Sequence, residues 1–343
     1  MIAVVHLVWG PLGPAPLRDF LASYRAHAAG VEHELVVLFN GVAPEQRPSL
    51  LAELEQVKHS LLELPEPVQD LVAYAQAAER LKHEHLCFLN SYSAILAPNW
   101  LAMMEGALRH PRAGLVGATG SWASMSSLML HSLGLPNSYR GVVPDRRTGF
   151  EQFQAIKLEL DGEVELGGED EVGRAGQAAG AERVGDDGRQ SQRRSRWATL
   201  LGLARDAPSM VEQLLWFEGF PAPHLRTNAF MARRAVLGSL RFDGVHSKMH
   251  AYRLESGRKG LTHQIEALGL RPLVVDRDGV AHEHRDWPRS RTFWQGEQEG
   301  LLVADNQTRI YANGDLDRRR LLAGLAWGSQ AELGAWHPAR VIG

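Results

Sequence analysis

Residues 85–101 read His85-Leu86-Cys87-Phe88-Leu89-Asn90-Ser91-Tyr92-Ser93-Ala94-Ile95-Leu96-Ala97-Pro98-Asn99-Trp100-Leu101. A short apolar run stops at the polar group Asn90–Ser93. Pro98 then suits the first turn of a helix whose apolar face carries Leu101, Met104 and Leu108. The same rhythm extends in both directions. Upstream, Ala3–Trp9 is an apolar run closed by Gly10-Pro11, and Pro16–Ala28 has helical spacing through Leu17, Phe20, Leu21 and Tyr24. Glu34–Phe39 is a second run closed by Asn40-Gly41, followed by a helix around Ser49–Lys58. A further helix over Val68–Lys82 places Leu71, Ala75, Ala78 and Leu81 on one stripe, and downstream Ala113–Val116 is a short strand ending at Gly117. Strands alternating with helices in this way predict an α/β fold with a mostly parallel sheet flanked by helices.

The 343 residues carry 37 basic and 40 acidic side chains, a net charge of −3, and 44% of them are apolar. That balance excludes a general nucleic-acid binder and a mainly disordered chain. No apolar stretch approaches the length of a membrane span. The first residues read as a strand rather than a signal peptide. A single cysteine, Cys87, excludes an intrachain disulfide and suits a reducing, cytoplasmic setting.

The segment Asp161–Arg196 breaks the pattern. It has eight glycines, no aromatic residue, acids gathered at Asp161–Glu171 and arginines at Arg189–Arg196, a composition that predicts a disordered, charged insertion. The chain therefore divides into 1–160, the insertion at 161–196, and 197–343, the two flanks forming halves of one domain. In the second half, Ser209-x-x-Glu212 reads as a capping box, Thr262–Leu268 as a helix stopped by Gly269, and Pro272–Asp276 as a strand. Asp315–Trp327 reads as an amphipathic helix with Arg318–Arg320 outward.

In a parallel α/β sheet, ligands bind beyond the C-terminal ends of the strands. Those ends are here Trp9-Gly10, Asn40-Gly41, Asn90–Ser93 and Gly117–Ser121. No Gly-x-Gly-x-x-Gly follows the first strand and there is no phosphate-binding lysine loop, so neither a dinucleotide-binding dehydrogenase nor a P-loop enzyme is expected. The absence of a Gly-x-Ser-x-Gly elbow argues against a serine hydrolase.

The order of these elements, with Ala75-x-x-Ala78, Phe88–Leu96 and Pro98-Asn99-Trp100-Leu101, resembles the nucleotide-binding half of GT-A fold glycosyltransferases of the family 2 type. The resemblance covers about residues 1–122 and, more weakly, Arg226–His284. It implies a nucleotide-sugar donor and a carbohydrate or other hydroxyl acceptor, with no nucleic acid. Trp9, Gly10 and Asn40 would lie at the base and ribose, and Asn90, Ser91, Tyr92 and Ser93 near the diphosphate. In the family an Asp-x-Asp sequence at this third strand end holds manganese or magnesium. Tyr92 stands where its last aspartate belongs, and a phenol is a poor ligand for a hard cation. Any metal dependence is therefore expected to be weakened.

The resemblance places the general base near Glu255, which as one half of an i, i+4 pair with Lys259 also reads as an ordinary helix surface. Arg258 and Lys259 are candidates for binding phosphate in place of a metal. Arg226 and Asn228 are candidates for contacting sugar or phosphate oxygens, or else a turn before a strand. His282, in His282-x-His284, is a candidate metal ligand or a structural histidine. Two readings stand: a transferase moving a sugar to a hydroxyl, with Glu255 as base, or a non-catalytic module that keeps the fold and has lost the metal aspartate.

Overall fold

The computed structural model of the chain describes residues 1–132, 135–139, 141–143, 211–212 and 214–334. The expected insertion at 161–196 and Ser209 of the expected capping box lie outside the described residues.

The strands of the first half are β1 (Ile2–Trp9), β2 (His33–Asn40), β3 (Ser60–Glu63) and β4 (His85–Leu89), all mutually parallel where they pair. With β5 denoting the short strand Ala94–Ile95, the next are β6 (Ala113–Gly117) and β7 (Gly120–Ser121). Then come β8 (His224–Leu225), β9 (Ala229–Arg233), β10 (Arg271–Val275) and β11 (Ala281–His282). The main sheet has the order β11-β10-β6-β9-β4-β1-β2-β3. Strands β6 and β10 are parallel, and β9 is antiparallel to both of its neighbours, β4 and β6. The mostly parallel α/β sheet expected from the sequence is present.

Its interior strands lack polar alternation because helices cover both faces: in β1 every residue but Trp9 is buried. On one face pack Phe20 and Leu21 of α1 (Ala15–Ala26), Leu50 of α2 (Arg47–Leu54), and Trp100 and Met104 of α4 (Trp100–Leu108). On the other pack Leu71 and Tyr74 of α3 (Asp70–Arg80). His6 is the one polar residue inside β1. It is fully buried, stacks on Phe20 with ring centroids 3.7 Å apart, and neither ring nitrogen has a partner. Burial pushes its pKa down to about 3, so the ring is neutral at physiological pH.

The reversed direction of β9 decides where the site forms. Leu89 pairs with Ala229, so the residues just before β9 arrive at the same sheet edge as those just after β1, β2 and β4. The Asn90 N–H donates to the Asn228 carbonyl at 2.9 Å, joining the two at that edge.

Several local expectations need adjustment. The third helix begins at Asp70 rather than Val68, and Tyr74 with Ala77 carries its buried face where Ala75 was expected. The last helix, Leu316–Trp327, is capped by Asp315, but Arg319 points inward. It is 3% exposed, donates to Glu297 at 2.8 Å and lies over the Tyr311 ring. A guanidinium with a carboxylate partner and an aromatic face can be buried where an isolated one cannot.

Candidate functional site

Two cavities open at this edge. The first, of about 590 Å³, lies beyond β1, β2 and β4, and its walls include Trp9, Gly41, Asp70, Asn90, Ser91 and Tyr92. Gly10 follows Trp9 in a turn so close to the next strand end that an added Cβ would lie 2.2 Å from the Gly41 carbonyl oxygen. Only glycine fits there. Asn40 is fully buried and does not face the cavity. Its Nδ2 donates to the Val68 carbonyl at 2.8 Å and its Oδ1 accepts from the Val68 N–H at 3.0 Å. Asn40 thus clamps the segment that delivers Pro67, Gln69 and Asp70 to the wall.

The Asn90–Ser93 group is held by its own polar atoms. Asn90 Oδ1 accepts from the Tyr92 N–H at 3.2 Å and from Ser93 Oγ at 3.0 Å, and Ser91 Oγ accepts from the Trp9 N–H at 3.1 Å. Ser93 is 1% exposed and lines neither cavity. These oxygens are committed to shaping the loop, Tyr92 offers a phenol, and among the described residues no three His, Cys, Asp or Glu side chains group as a metal site. The donor set at this motif does not fit a hard divalent cation, which takes several free carboxylate or carbonyl oxygens.

The second cavity, of about 280 Å³, lies between the segment before β9 and the helix α6 (Lys248–Ser256), taking as α5 the earlier helix Met125–Ser132. Glu255 lines it, near the end of α6, and its Oε2 accepts from Thr227 Oγ1 at 2.9 Å. No described ion pair joins it to Lys259, so the carboxylate is turned to the cavity side rather than along its own helix. His224 also lines this space. Its Nδ1 donates to the Ala222 carbonyl at 2.9 Å, leaving Nε2 as the acceptor, and burial holds its pKa below the ordinary histidine value.

Arg226 and Asn228 border the second cavity from within the protein. Arg226 is 6% exposed, pairs with Asp305 at 2.9 Å and lies over the Phe293 ring, while its Nη1 has no partner. Asn228 accepts from Thr119 Oγ1 at 2.7 Å, and its Nδ2 is likewise buried without a partner. Two orphaned donors beside one cavity are where an incoming oxygen acceptor would be stabilised.

The two cavities share Asp70 and Asn90. Asp70 is exposed at the cleft, where desolvation by the neighbouring protein first, and Glu255 second, push its carboxyl up to about 6. Sequence reasoning missed Asp70, because an acid in a helix's first turn is ordinary, and missed His246, which reaches the first cavity from the loop before α6.

The remaining candidates lie elsewhere. Arg258 is half exposed, 3.5 Å from Glu218, and neither it nor Lys259 lines any of the described cavities. His282 Nε2 lies 2.6 Å from Asp276 Oδ2. The strand expected to carry both histidines ends at His282, and His284 starts the next turn, 3.6 Å from Glu266. His282 therefore has the nearby carboxylate the sequence did not reveal, without a second histidine on the same face.

No protein-family model and no curated sequence matches the chain. Solved structures do match part of it. They include the mannosyltransferase PcManGT from Pyrobaculum calidifontis, in complex with GDP-Man and Mn2+ (16% identity, TM-score 0.30, 34% of each chain). Glucosyl-3-phosphoglycerate synthase from Mycobacterium tuberculosis, with Mn2+, UDP and phosphoglyceric acid, matches at 17% identity and TM-score 0.28 over 34% of this chain and 42% of that one. S. aureus TarS 1-349 matches at 12% identity and TM-score 0.28 over 34% of each. The chain thus spans about a third to two fifths of the length of these structures.

Proposed function

We propose that the chain is a glycosyltransferase of the GT-A type, binding a nucleotide-sugar donor in the first cavity and a hydroxyl acceptor in the second. The observation that carries this reading is the meeting of the two cavities at Asp70 and Asn90, with Glu255 facing the acceptor side. Trp9 supplies an aromatic wall for a base, and Asn90–Tyr92 border the diphosphate. In the reaction, Glu255 takes the acceptor's hydroxyl proton as the oxygen bonds to the anomeric carbon. The bond from that carbon to the diphosphate breaks, its electron pair leaving with the diphosphate, and attack from the opposite face inverts the centre. Thr227 orients the carboxylate. Arg226 and Asn228 offer their unpartnered N–H groups to acceptor oxygens.

The test is calorimetric titration with UDP, GDP and dTDP, each with and without manganese, on the wild type and on Trp9→Ala. One nucleotide should bind without help from manganese and lose about tenfold or more in the variant, the scale of a lost base–aromatic stack. Binding of none of them overturns the reading. Tyr92 in place of the family's metal aspartate favours the second reading, a non-catalytic nucleotide-sugar-binding module. It predicts binding with no turnover on any acceptor, whereas the enzyme predicts turnover that disappears in Glu255→Gln.

A further inference from the structure

A third cavity, of about 360 Å³, adjoins the other two. It shares Tyr92 with the first and Asn306 with the second. Numbering the remaining helices in order, with α7 for Leu261–Ala267 and α8 for Trp287–Ser290, its cations come from α9 (Asn306–Ala312) and α10 (Leu316–Trp327). These are Arg309 and Arg318. Among the described residues, Asp19 of α1 is the one carboxylate on the wall.

The local sequence explains how two guanidinium groups reach one space. Asp305 caps α9 through a capping box with Thr308, fixing the face on which Arg309 emerges. Asp315 caps α10 by accepting the Arg318 N–H at 2.8 Å, and the Arg318 stem lies over Gly314, where an added Cβ would come within 3.1 Å of its Cδ. The turn Asn313-Gly314-Asp315 thus brings the two arginines to the same wall.

We propose that this third cavity is a phosphate-binding site, in which Arg309 and Arg318 hold a phosphoryl group beside Tyr92. The proposal rests on the reading of the first cavity only for the source of that group. Guanidinium groups suit phosphate oxygens because their planar forks donate two hydrogen bonds each, and they carry charge at every physiological pH. The sequence pointed to Arg258 and Lys259 for this work, but those residues lie off the cavities. The structure instead places cations next to Tyr92, where the carboxylate expected for a metal is missing. The phosphoryl group is either the donor's own diphosphate, reaching past Tyr92, or a phosphate on a second substrate, reaching past Asn306.

The probes are pyrophosphate, inorganic phosphate, UDP and UMP, titrated without metal into the wild-type chain, Arg309→Gln, Arg318→Gln, the double variant and Asp19→Asn. Pyrophosphate or phosphate should bind the wild type and lose about tenfold or more in the double variant, as for loss of charge-assisted hydrogen bonds, and bind Asp19→Asn more tightly. If the source is the donor, the preference for UDP over UMP collapses in the double variant while UMP affinity holds. If the source is a second substrate, that preference persists and inorganic phosphate still binds the UDP-saturated wild type. Unchanged binding of all four probes to a double variant with the wild-type unfolding midpoint overturns the proposal. Failure of every nucleotide with retained pyrophosphate binding overturns only the reading of the first cavity.

Discussion

His6→Leu should make the protein more stable, and increasingly so in acid. At pH 7.5 the buried ring is neutral in both the folded and unfolded chain, so no proton is linked to unfolding. The variant then gains from removing two ring nitrogens that have no partner, about 1–3 kcal/mol by the usual cost of an unsatisfied buried polar group. Leucine is close in volume, so the packing against Phe20 costs little of this. Below the ordinary histidine value of 6.5 the unfolded chain takes up a proton that the native ring refuses until about pH 3. The folded value is depressed, so wild-type stability falls as pH falls through that window, by about 1.4 kcal/mol per pH unit. At pH 5 this amounts to about 2 kcal/mol. The gap between variant and wild type should therefore widen from about 1–3 to about 3–5 kcal/mol between pH 7.5 and pH 5. Urea unfolding of both proteins at both pH values measures it directly. A gap that does not widen, or a variant less stable at pH 7.5, would refute the account of His6 as a neutral, unpartnered ring.

The buried pair Arg226–Asp305 should behave as a unit. Arg226→Met alone, leaving Asp305 uncompensated, should cost about 3–5 kcal/mol in urea unfolding, while Arg226→Met with Asp305→Asn, which keeps a helix-capping side chain, should cost clearly less than the sum of the singles. Gly10→Ala should destabilise by about 1–3 kcal/mol through overpacking against the Gly41 carbonyl, and nucleotide affinity measured by calorimetry should fall with it. Asp70, protonated below about 6, loses a negative charge from the wall of the first cavity as pH falls. Metal-free nucleoside diphosphate should then bind the wild type about fivefold better at pH 5.5 than at 7.5, relative to Asp70→Asn, as expected for one charge removed at several ångströms in a half-screened cleft. Parallel pH profiles for the two proteins would show that Asp70 does not face the ligand.

The layers of the fold were legible because periodicity is local. Apolar runs without alternation marked strands covered on both sides, and the polar residues ending them marked the edge where the cavities open. What escaped was anything set by distant partners. Arg226 looked like a residue of a turn, and nothing near it announces Asp305, 79 residues away. Arg319 sits in a run of three arginines and reads as solvated until Glu297 and Tyr311 are seen beside it. Arg258 and Lys259 have the right charges for a phosphate, but after α6 Arg258 lies beside Glu218 and neither residue lines the cavities. Of the nucleotide-side candidates, Trp9, Asn90, Ser91 and Tyr92 line the first cavity, whereas Asn40 and Ser93 brace its walls. A single sequence does not separate a side chain that touches a ligand from one that holds its neighbour in place.

Asp70 and Asn90 belong to both cavities at once, and that has a thermodynamic consequence. A molecule seated in either space fixes walls that the other must use, so the two affinities are not independent. By linkage, whatever factor a ligand in one cavity adds to the affinity of a ligand in the other, the second adds to the first. Titrations of one partner alone therefore leave that factor unmeasured, and the ratio between binary and ternary affinities gives its size and sign.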